Sequence, residues 1–405
     1  MLTGNGRYPG VDVLVVGAGP AGLAVARSTA AAGLNTLVVE RQREVGEHVR
    51  TSGATALQTV TSLAAPPELY HRLARLRILS PSESVTFDCP DALCILDVRS
   101  FYRWLAKEAQ AAGARIRTSA QATAPLLENG AVAGWYLGDE PVPARIVVDA
   151  GGHRAQVSKR AGLHEGFTRF GVGAEYELVA PGVDETEAVL IVGERYAPTG
   201  YAWSFPWGES RARLGVGLHH TDVRDDPKAL LALLREESET LDLGLAGATV
   251  SEHHFGLIPA EGLAPTFVAN GLVAVGDAAG QASLVVGEGI RISLLAGEMA
   301  AETIVEALGR GRTDRAALLP YEERFRSELS RELRIGERIN RRLAANRDDA
   351  RWDARVRLLR GMPAGLVVDL LQSRFDAAAV ARWYLRRPWQ LARSTVLARA
   401  ALGRL

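Results

Sequence analysis

The residues with the clearest capacity for chemistry lie near the N-terminus, in the run VDVLVVGAGPAGLAVARSTAAAGLNTLVVE from Val11 to Glu40. Gly17, Gly19 and Gly22 form a GxGxxG turn that also contains Pro20 and Ala21. The first glycine permits a tight turn, the second lets backbone approach a pyrophosphate, and the third lets a helix pack on a strand. Val13 to Val16 before the turn and Thr36 to Val39 after the Ala-rich stretch read as buried strands flanking a helix. In that context the helix N-terminus offers unpaired N–H groups to an anion. Glu40 ends the second strand 23 residues after Gly17, where a carboxylate accepts hydrogen bonds from an adenosine ribose, and Arg41 follows it. This pattern specifies a dinucleotide and leaves NAD and FAD both open.

Strings farther along narrow the choice. Asn270 to Ala300 reads as a strand (Leu272 to Val275), a Gly276-Asp277 turn, and a glycine-rich entry into a helix at Gly287-Glu288-Gly289-Ile290. Here the chain resembles the flavoprotein hydroxylase and reductase superfamily. The resemblance implies FAD, with Asp277 on its ribityl chain and the helix from Gly289 stabilising negative charge on the reduced ring. RIVVDAGGHRAQVSK, residues 145 to 159, resembles the middle DG motif of those proteins, with Asp149 and Gly151 ending a strand beside the cofactor. His153, Arg154 and Gln156 depart from its commonest form. DVRSFYRWLAKEA puts Arg99 where these proteins carry an arginine beside the cofactor, and Arg103 fits either a cofactor contact or a solvated helix face.

Two strings point to a narrower family. PTGYAWSFPWGESRARLGVGL resembles the YxWxFP signature of the geranylgeranyl reductase family. On a strand, Tyr201, Trp203 and Phe205 share one face, either an apolar substrate wall or an aromatic core stripe. REVGEHVRTSGATAL, residues 43 to 57, resembles that family's loop VGxPVRCGEG: Val49, Arg50 and Gly53 fit, while Thr51 and Ser52 stand where a cysteine is often found. Arg50 fits a contact to the flavin, a contact to a substrate pyrophosphate, or a plain surface position. The resemblance implies an FAD-dependent oxidoreductase that reduces C=C bonds of an apolar, isoprenoid-like substrate by hydride transfer from reduced flavin. Flavin halogenases carry a related WxWxIP string. A monooxygenase or halogenase-like enzyme acting on a secondary metabolite therefore stays open, as does a flavin-dependent isomerase or cyclase. No string marks a catalytic acid, and with no second GxGxxG the electron donor is left between NAD(P)H and a ferredoxin.

The spacing of these motifs sets the expected architecture. It is α/β: a Rossmann-like FAD-binding domain, which the resemblance implies is of p-hydroxybenzoate hydroxylase-like type, discontinuous over 1–80, 99–165 and 265–310. A substrate domain over 81–98 and 166–264 interrupts it, and a helical region over 311–405 follows. Period-2 strings such as GVGAEYELV, AVLIV, RARLGVGL and SEHHFGLI predict an antiparallel sheet in the insertion. DPKALLALLREESETL predicts one helix there, capped by Asp226 and begun by Pro227.

Composition bounds the partners. With 405 residues, 47% hydrophobic and 23% charged, the chain is globular and long enough for more than one lobe. Its 47 basic and 47 acidic residues cancel, which gives no electrostatic case for nucleic acid. The cancellation is uneven, because residues 351–405 carry eleven Arg against three Asp. With Trp383, Tyr384 and Trp389 around Pro388, this region reads either as a solvated helical cap or as a basic amphipathic segment in peripheral contact with a membrane. Only three of the basic residues are Lys, a skew read first as genomic. Cys89 and Cys94 form neither a disulfide framework nor a zinc spacing. The pairs His219-His220 and His253-His254 would point to opposite faces of a strand, so no metal is expected. No signal peptide or spanning segment is apparent, so a cytoplasmic enzyme is expected. No feature indicates an oligomeric state.

Overall fold

The computed structural model describes residues 10–219, 225–283, 285–345, 348–374 and 376–386. Strand Val11–Val16 lies parallel to Thr36–Val39 on one side and to Glu140–Asp149 on the other. Arg115–Arg117 extends the sheet beyond the former, and Leu272–Ala274 beyond the latter. Both faces of the central strands are covered, which is why residues 13–16, 37–39 and 146–148 are unbroken apolar runs rather than alternating ones. Helices Pro20–Ala31 and Ile290–Gly309 pack against each other on one face. A Cβ at Gly297 would lie 2.5 Å from the Ala21 carbonyl oxygen, so only glycine permits this approach. It brings the two cofactor motifs, far apart in sequence, to one edge of the sheet.

The second sheet has seven strands in the order Thr249–Pro259, Phe170–Val179, Arg211–His219, Ala197–Gly208, Glu187–Gly193, Arg75–Leu79 and Ser84–Asp88. Its pairs are antiparallel except Glu187–Gly193 with Arg75–Leu79, which is parallel. Arg75–Leu79 falls in the segment assigned from sequence to the cofactor domain, yet its ladder lies in this sheet. The physical reason is its alternation: Leu76 and Ile78 join the apolar cluster of Leu190 and Trp203, while Arg75 pairs with Asp184 and Arg77 with Glu187.

Helix Pro227–Glu236 begins as its sequence requires, with Asp226 accepting a hydrogen bond from the Lys228 N–H. It buries Leu231 and Leu234 with Ala174, Leu214 and Val216 on one face of the second sheet. The opposite face, built of glycines, charges and aromatics, turns toward the cofactor domain.

Past residue 311 the described residues are mostly helical: Arg315–Ala345, Asp349–Leu359, Ala364–Leu371 and Ala377–Leu385. The long helix docks through Tyr321 and Phe325 on Phe267, with Glu322 accepting from the Phe267 N–H. The shorter helices close over the second sheet. Val356, Met362, Val367, Val380 and Trp383 join the cluster of Trp203 and Phe205, while Asp353 accepts from Ser80 and Glu83 pairs with Arg357 and Arg360. Trp383, left by the sequence between a helical cap and an interfacial segment, is buried here because the helix that carries it covers apolar strand surface. Trp389, Pro388 and the Tyr384 side chain lie outside the described residues.

Leu234 is fully buried between helix and sheet. Leu234→Ala is expected to cost about 2–5 kcal/mol, read as a lower unfolding midpoint in thermal denaturation, with flavin content per folded molecule unchanged.

Candidate active site

The glycine turn separates three roles by geometry. At Gly17, with φ +110°, a Cβ would meet the Ala150 carbonyl oxygen at 2.3 Å; at Gly22 it would meet the Gly17 oxygen at 2.1 Å. These two glycines are forced by the protein's own packing. Gly19 has nothing within 4 Å of its would-be Cβ, as expected of backbone left bare for an incoming diphosphate. Glu40 lines the same cleft and braces the turn, accepting from Ala18 N at 3.0 Å and Gln42 N at 3.0 Å.

Gly276 and Asp277 line the opposite wall with Gly287, Gly289 and Ile290. Burial alone pushes the Asp277 carboxyl up to about 6. Arg41, Arg50 and Arg154 converge along the cleft with His153. Burial first, then Arg41 and Arg154, lowers the pKa of Arg50, and Glu40 only partly offsets them. Burial and the same three arginines push His153 down to about 4, so its imidazole stays neutral near pH 7. Gathered cations above a bare helix N-terminus, with a buried acid beyond them, fit a ligand with a diphosphate at its middle and hydroxyls on either side. FAD is such a ligand.

Two expected contacts take different roles. The Asp149 carboxylate is wholly buried and accepts from Ser158 N and Ser158 Oγ at 2.7 Å each, and from Gly151 N at 3.0 Å. It clamps the turn carrying Ala150 and Gly151, and so acts on the cleft through backbone. Arg99 does not line the cleft; its guanidinium forms a two-pronged pair with Glu252 at 2.9 and 3.2 Å, because this strand residue offers a carboxylate across the domain junction. Arg103 pairs with exposed Glu44 and lies on a solvated face. From that same helix, Val98–Ala111, it is Tyr102 that enters the cleft, its phenol pKa raised by burial and then by Asp277. Sequence reasoning missed Tyr102; its place one residue before Arg103, on the buried side of an amphipathic helix, was the available signal.

Gly287 is where the cofactor cleft meets two apolar chambers. The first is lined by Leu73, Leu76, Ile95, Ala188 and Phe205, with Thr51, Ser52 and Cys94 on its wall. The second is lined by Val172, Val192, Trp203, Leu218, Ile258 and Trp352. Tyr201 lines both, and its O–H donates to the Val286 carbonyl at 2.6 Å. Tyr201, Trp203 and Phe205 do share one face, with ring centroids 5.5 and 6.1 Å apart along the row. Burial pushes the Cys94 thiol up to about 12, so it stays protonated. Among the described residues no His, Cys, Asp and Glu group is arranged to hold a metal ion. His253 packs on Tyr176, His254 bonds two carboxylates, His219 lines the second chamber, and His220 lies outside the described residues.

A diphosphate cradle opening onto apolar chambers belongs to an FAD-dependent oxidoreductase, and comparison with known proteins agrees. Residues 12–177 match the model of FAD dependent oxidoreductases, and residues 170–244 match the geranylgeranyl reductase catalytic domain. The chain is 31% identical to digeranylgeranylglycerophospholipid reductase 2 of Methanopyrus kandleri over 79% of this chain and 83% of that one. It is also 31% identical to the digeranylgeranylglycerophospholipid reductase of Methanothrix thermoacetophila, over 80% and 84%. The chain therefore belongs to the geranylgeranyl reductase family. In fold it resembles a geranylgeranyl bacteriochlorophyll reductase-like protein of Thermoplasma acidophilum, with TM-score 0.84, 24% identity and coverage of 96% and 99%. It also resembles in fold a flavin-dependent brominase, with TM-score 0.72, 17% identity and coverage of 94% and 100%.

The glycines separate folding from cofactor binding. Gly19→Val should fold but purify colourless, whereas Gly17→Ala should fail to accumulate; soluble Gly19→Val with stoichiometric FAD would contradict the cradle. Asp277 gives a pH test on cofactor-free protein. Its native carboxyl binds its proton more tightly than the unfolded one, so the contribution of this group to stability falls as pH rises from about 4 to about 6 and is level above. Asp277→Asn should remove that loss: no gain at pH 4, and up to ~3 kcal/mol above pH 6, measured by denaturant titration.

Proposed function

We propose that this protein reduces C=C bonds of a geranylgeranyl-type isoprenoid lipid by hydride transfer within an FAD-loaded site. The observation that carries this reading is the meeting, at Gly287, of a charged dinucleotide cleft with chambers walled by Leu, Val and aromatic side chains. The names of the aligned relatives point the same way.

In this reading the backbone of Gly17, Gly19, Pro20, Ala21 and Gly22 holds the diphosphate. Glu40 and Arg41 serve the adenosine end, with Arg50 and Gly151 along the middle. Gly276 and Asp277 take the ribityl hydroxyls, and Gly287 to Ile290 meet the ring. Bound flavin, once reduced, would supply the hydride. The protein excludes water from the alkene, holds it against the Tyr201 to Phe205 wall, and keeps protonated groups (Thr51, Ser52 and Cys94) on the first chamber's wall for the proton that completes saturation. The donor that reduces the flavin is NAD(P)H or a ferredoxin, and assays with each separate the two.

A substrate this apolar is delivered from a lipid surface, and the basic C-terminal region is the proposed point of contact. Arg382 and Arg386 are exposed, and Leu385 is 70% exposed. Truncation of residues 387–405 should lower co-sedimentation with anionic vesicles; unaltered binding would remove this element.

The chemistry is tested by anaerobic mixing of dithionite-reduced enzyme with geranylgeraniol or a geranylgeranyl glycerolipid. Flavin should reoxidise as product gains two hydrogens per double bond. Reoxidation only by oxygen, with an oxygenated product, would mean a monooxygenase instead.

A further inference from the structure

The inner face of the second sheet carries a buried ionic cluster that cofactor binding does not use. Strand register sets three lateral rows: Glu252, Glu177, Arg213, Phe205; then His254, Glu175, Gly215, Trp203; then Gly256, Gly173, Gly217, Tyr201. A Cβ on Gly215 would lie 2.2 Å from Trp203 Cζ2, and one on Gly217 would lie 3.3 Å from Cζ3. The indole therefore lies flat across the Arg211–His219 strand, on a floor that only glycine leaves open. From there Nε1–H donates to Glu175 Oε2 at 2.9 Å.

The second oxygen of Glu175 is 3.1 Å from His254 Nδ1, and His254 Nε2 is 3.2 Å from Glu252. With a carboxylate at each nitrogen, the ring donates to both only as imidazolium. Burial opposes that charge, but Glu175, Glu252 and Glu177 outweigh it and raise the His254 pKa. Arg213, 1% exposed, lies 3.4 Å from Glu177 and 4.0 Å from Glu175. It donates to the carbonyls of Ser52 at 2.8 Å and Leu96 at 2.9 Å. Buried charges of this kind add little net stability against an apolar substitute, but they impose geometry.

We propose that Glu175 is the positioning residue of the aromatic wall: its carboxylate holds the Trp203 indole across Gly215, while Arg213, in the same cluster, holds the loop at Ser52. Two walls of the chambers beside the cofactor are thereby set by one buried unit. The effect on substrate rests on the isoprenoid reading above; the effect on the indole does not.

Both are tested with FAD-loaded protein carrying Glu175→Gln, Trp203→Phe or both. The Trp203 indole 15N–1H resonance, assigned by its loss in Trp203→Phe, should move upfield and exchange faster with solvent in Glu175→Gln. An unchanged resonance overturns the proposal. Should Glu175→Gln fail to fold, Glu175→Asp, which keeps the charge but shortens the reach, should show the same shift. In turnover with geranylgeraniol, Glu175→Gln should raise KM about tenfold with a smaller fall in kcat, and should add less than about twofold in the Trp203→Phe background. Equal losses in both backgrounds overturn the proposal, because Glu175 would then act other than through the indole. If the wild type does not turn over an isoprenoid, the functional reading falls and the indole resonance still decides the positioning role.

Discussion

The structure depends on one constraint: a charged cleft and an apolar chamber must meet within a few residues without either invading the other. The segment Gly287-Glu288-Gly289 is where they meet. Gly287 takes φ +68°, and a Cβ there would press on Ile258 at 3.0 Å, so a side chain would close the passage. Glu288 turns its carboxylate to Arg291 at 3.0 Å, and Arg291 donates to the Gln372 carbonyl, which ties the junction to the C-terminal helices. Glu288 itself lines the first chamber, but its charge is met laterally by Arg291, and the rest of that chamber's lining is uncharged.

The second sheet solves the same problem with its two faces. One face packs ordinary aliphatic side chains under helix Pro227–Glu236. The other turns Glu175, Glu177, Arg213 and His254 inward, each paired, and places Tyr201, Trp203 and Phe205 beside them on glycine-bearing strands. Leaving one of those charges unpaired would cost several kcal/mol, so the face works as a unit or not at all. The C-terminal helices then cover the aromatic row, and the tail becomes a wall of the chamber through Trp352 and Leu371.

Much of this was legible in the sequence because the dinucleotide turn is local: strand, glycines, helix and acid are contiguous and each is dictated by backbone sterics. The aromatic row was legible because alternation on a strand is also local. Arg99 was misplaced because its partner, Glu252, comes from folding rather than spacing; Asp149 ends its strand beside the cleft as expected, but the Ser158 that engages its carboxylate was not readable from spacing. Arg75–Leu79 went to the wrong sheet because a five-residue alternating run does not name its neighbour. The inward charges were written plainly in GVGAEYELV, RARLGVGL and SEHHFGLI, where Glu, Arg and His alternate with apolar residues. Periodicity alone does not say which face is solvent, and here the charged face is buried as well as the aliphatic one.

The central claim, that an apolar chain lies directly against the cofactor, is tested without turnover. A fully saturated analogue of geranylgeraniol is added anaerobically to the oxidised, FAD-loaded enzyme while the visible spectrum of the flavin is recorded. The account predicts a saturable spectral change with sharpened vibronic structure, as water leaves the ring's surroundings. Measurable binding of the analogue with an unperturbed flavin spectrum would contradict it.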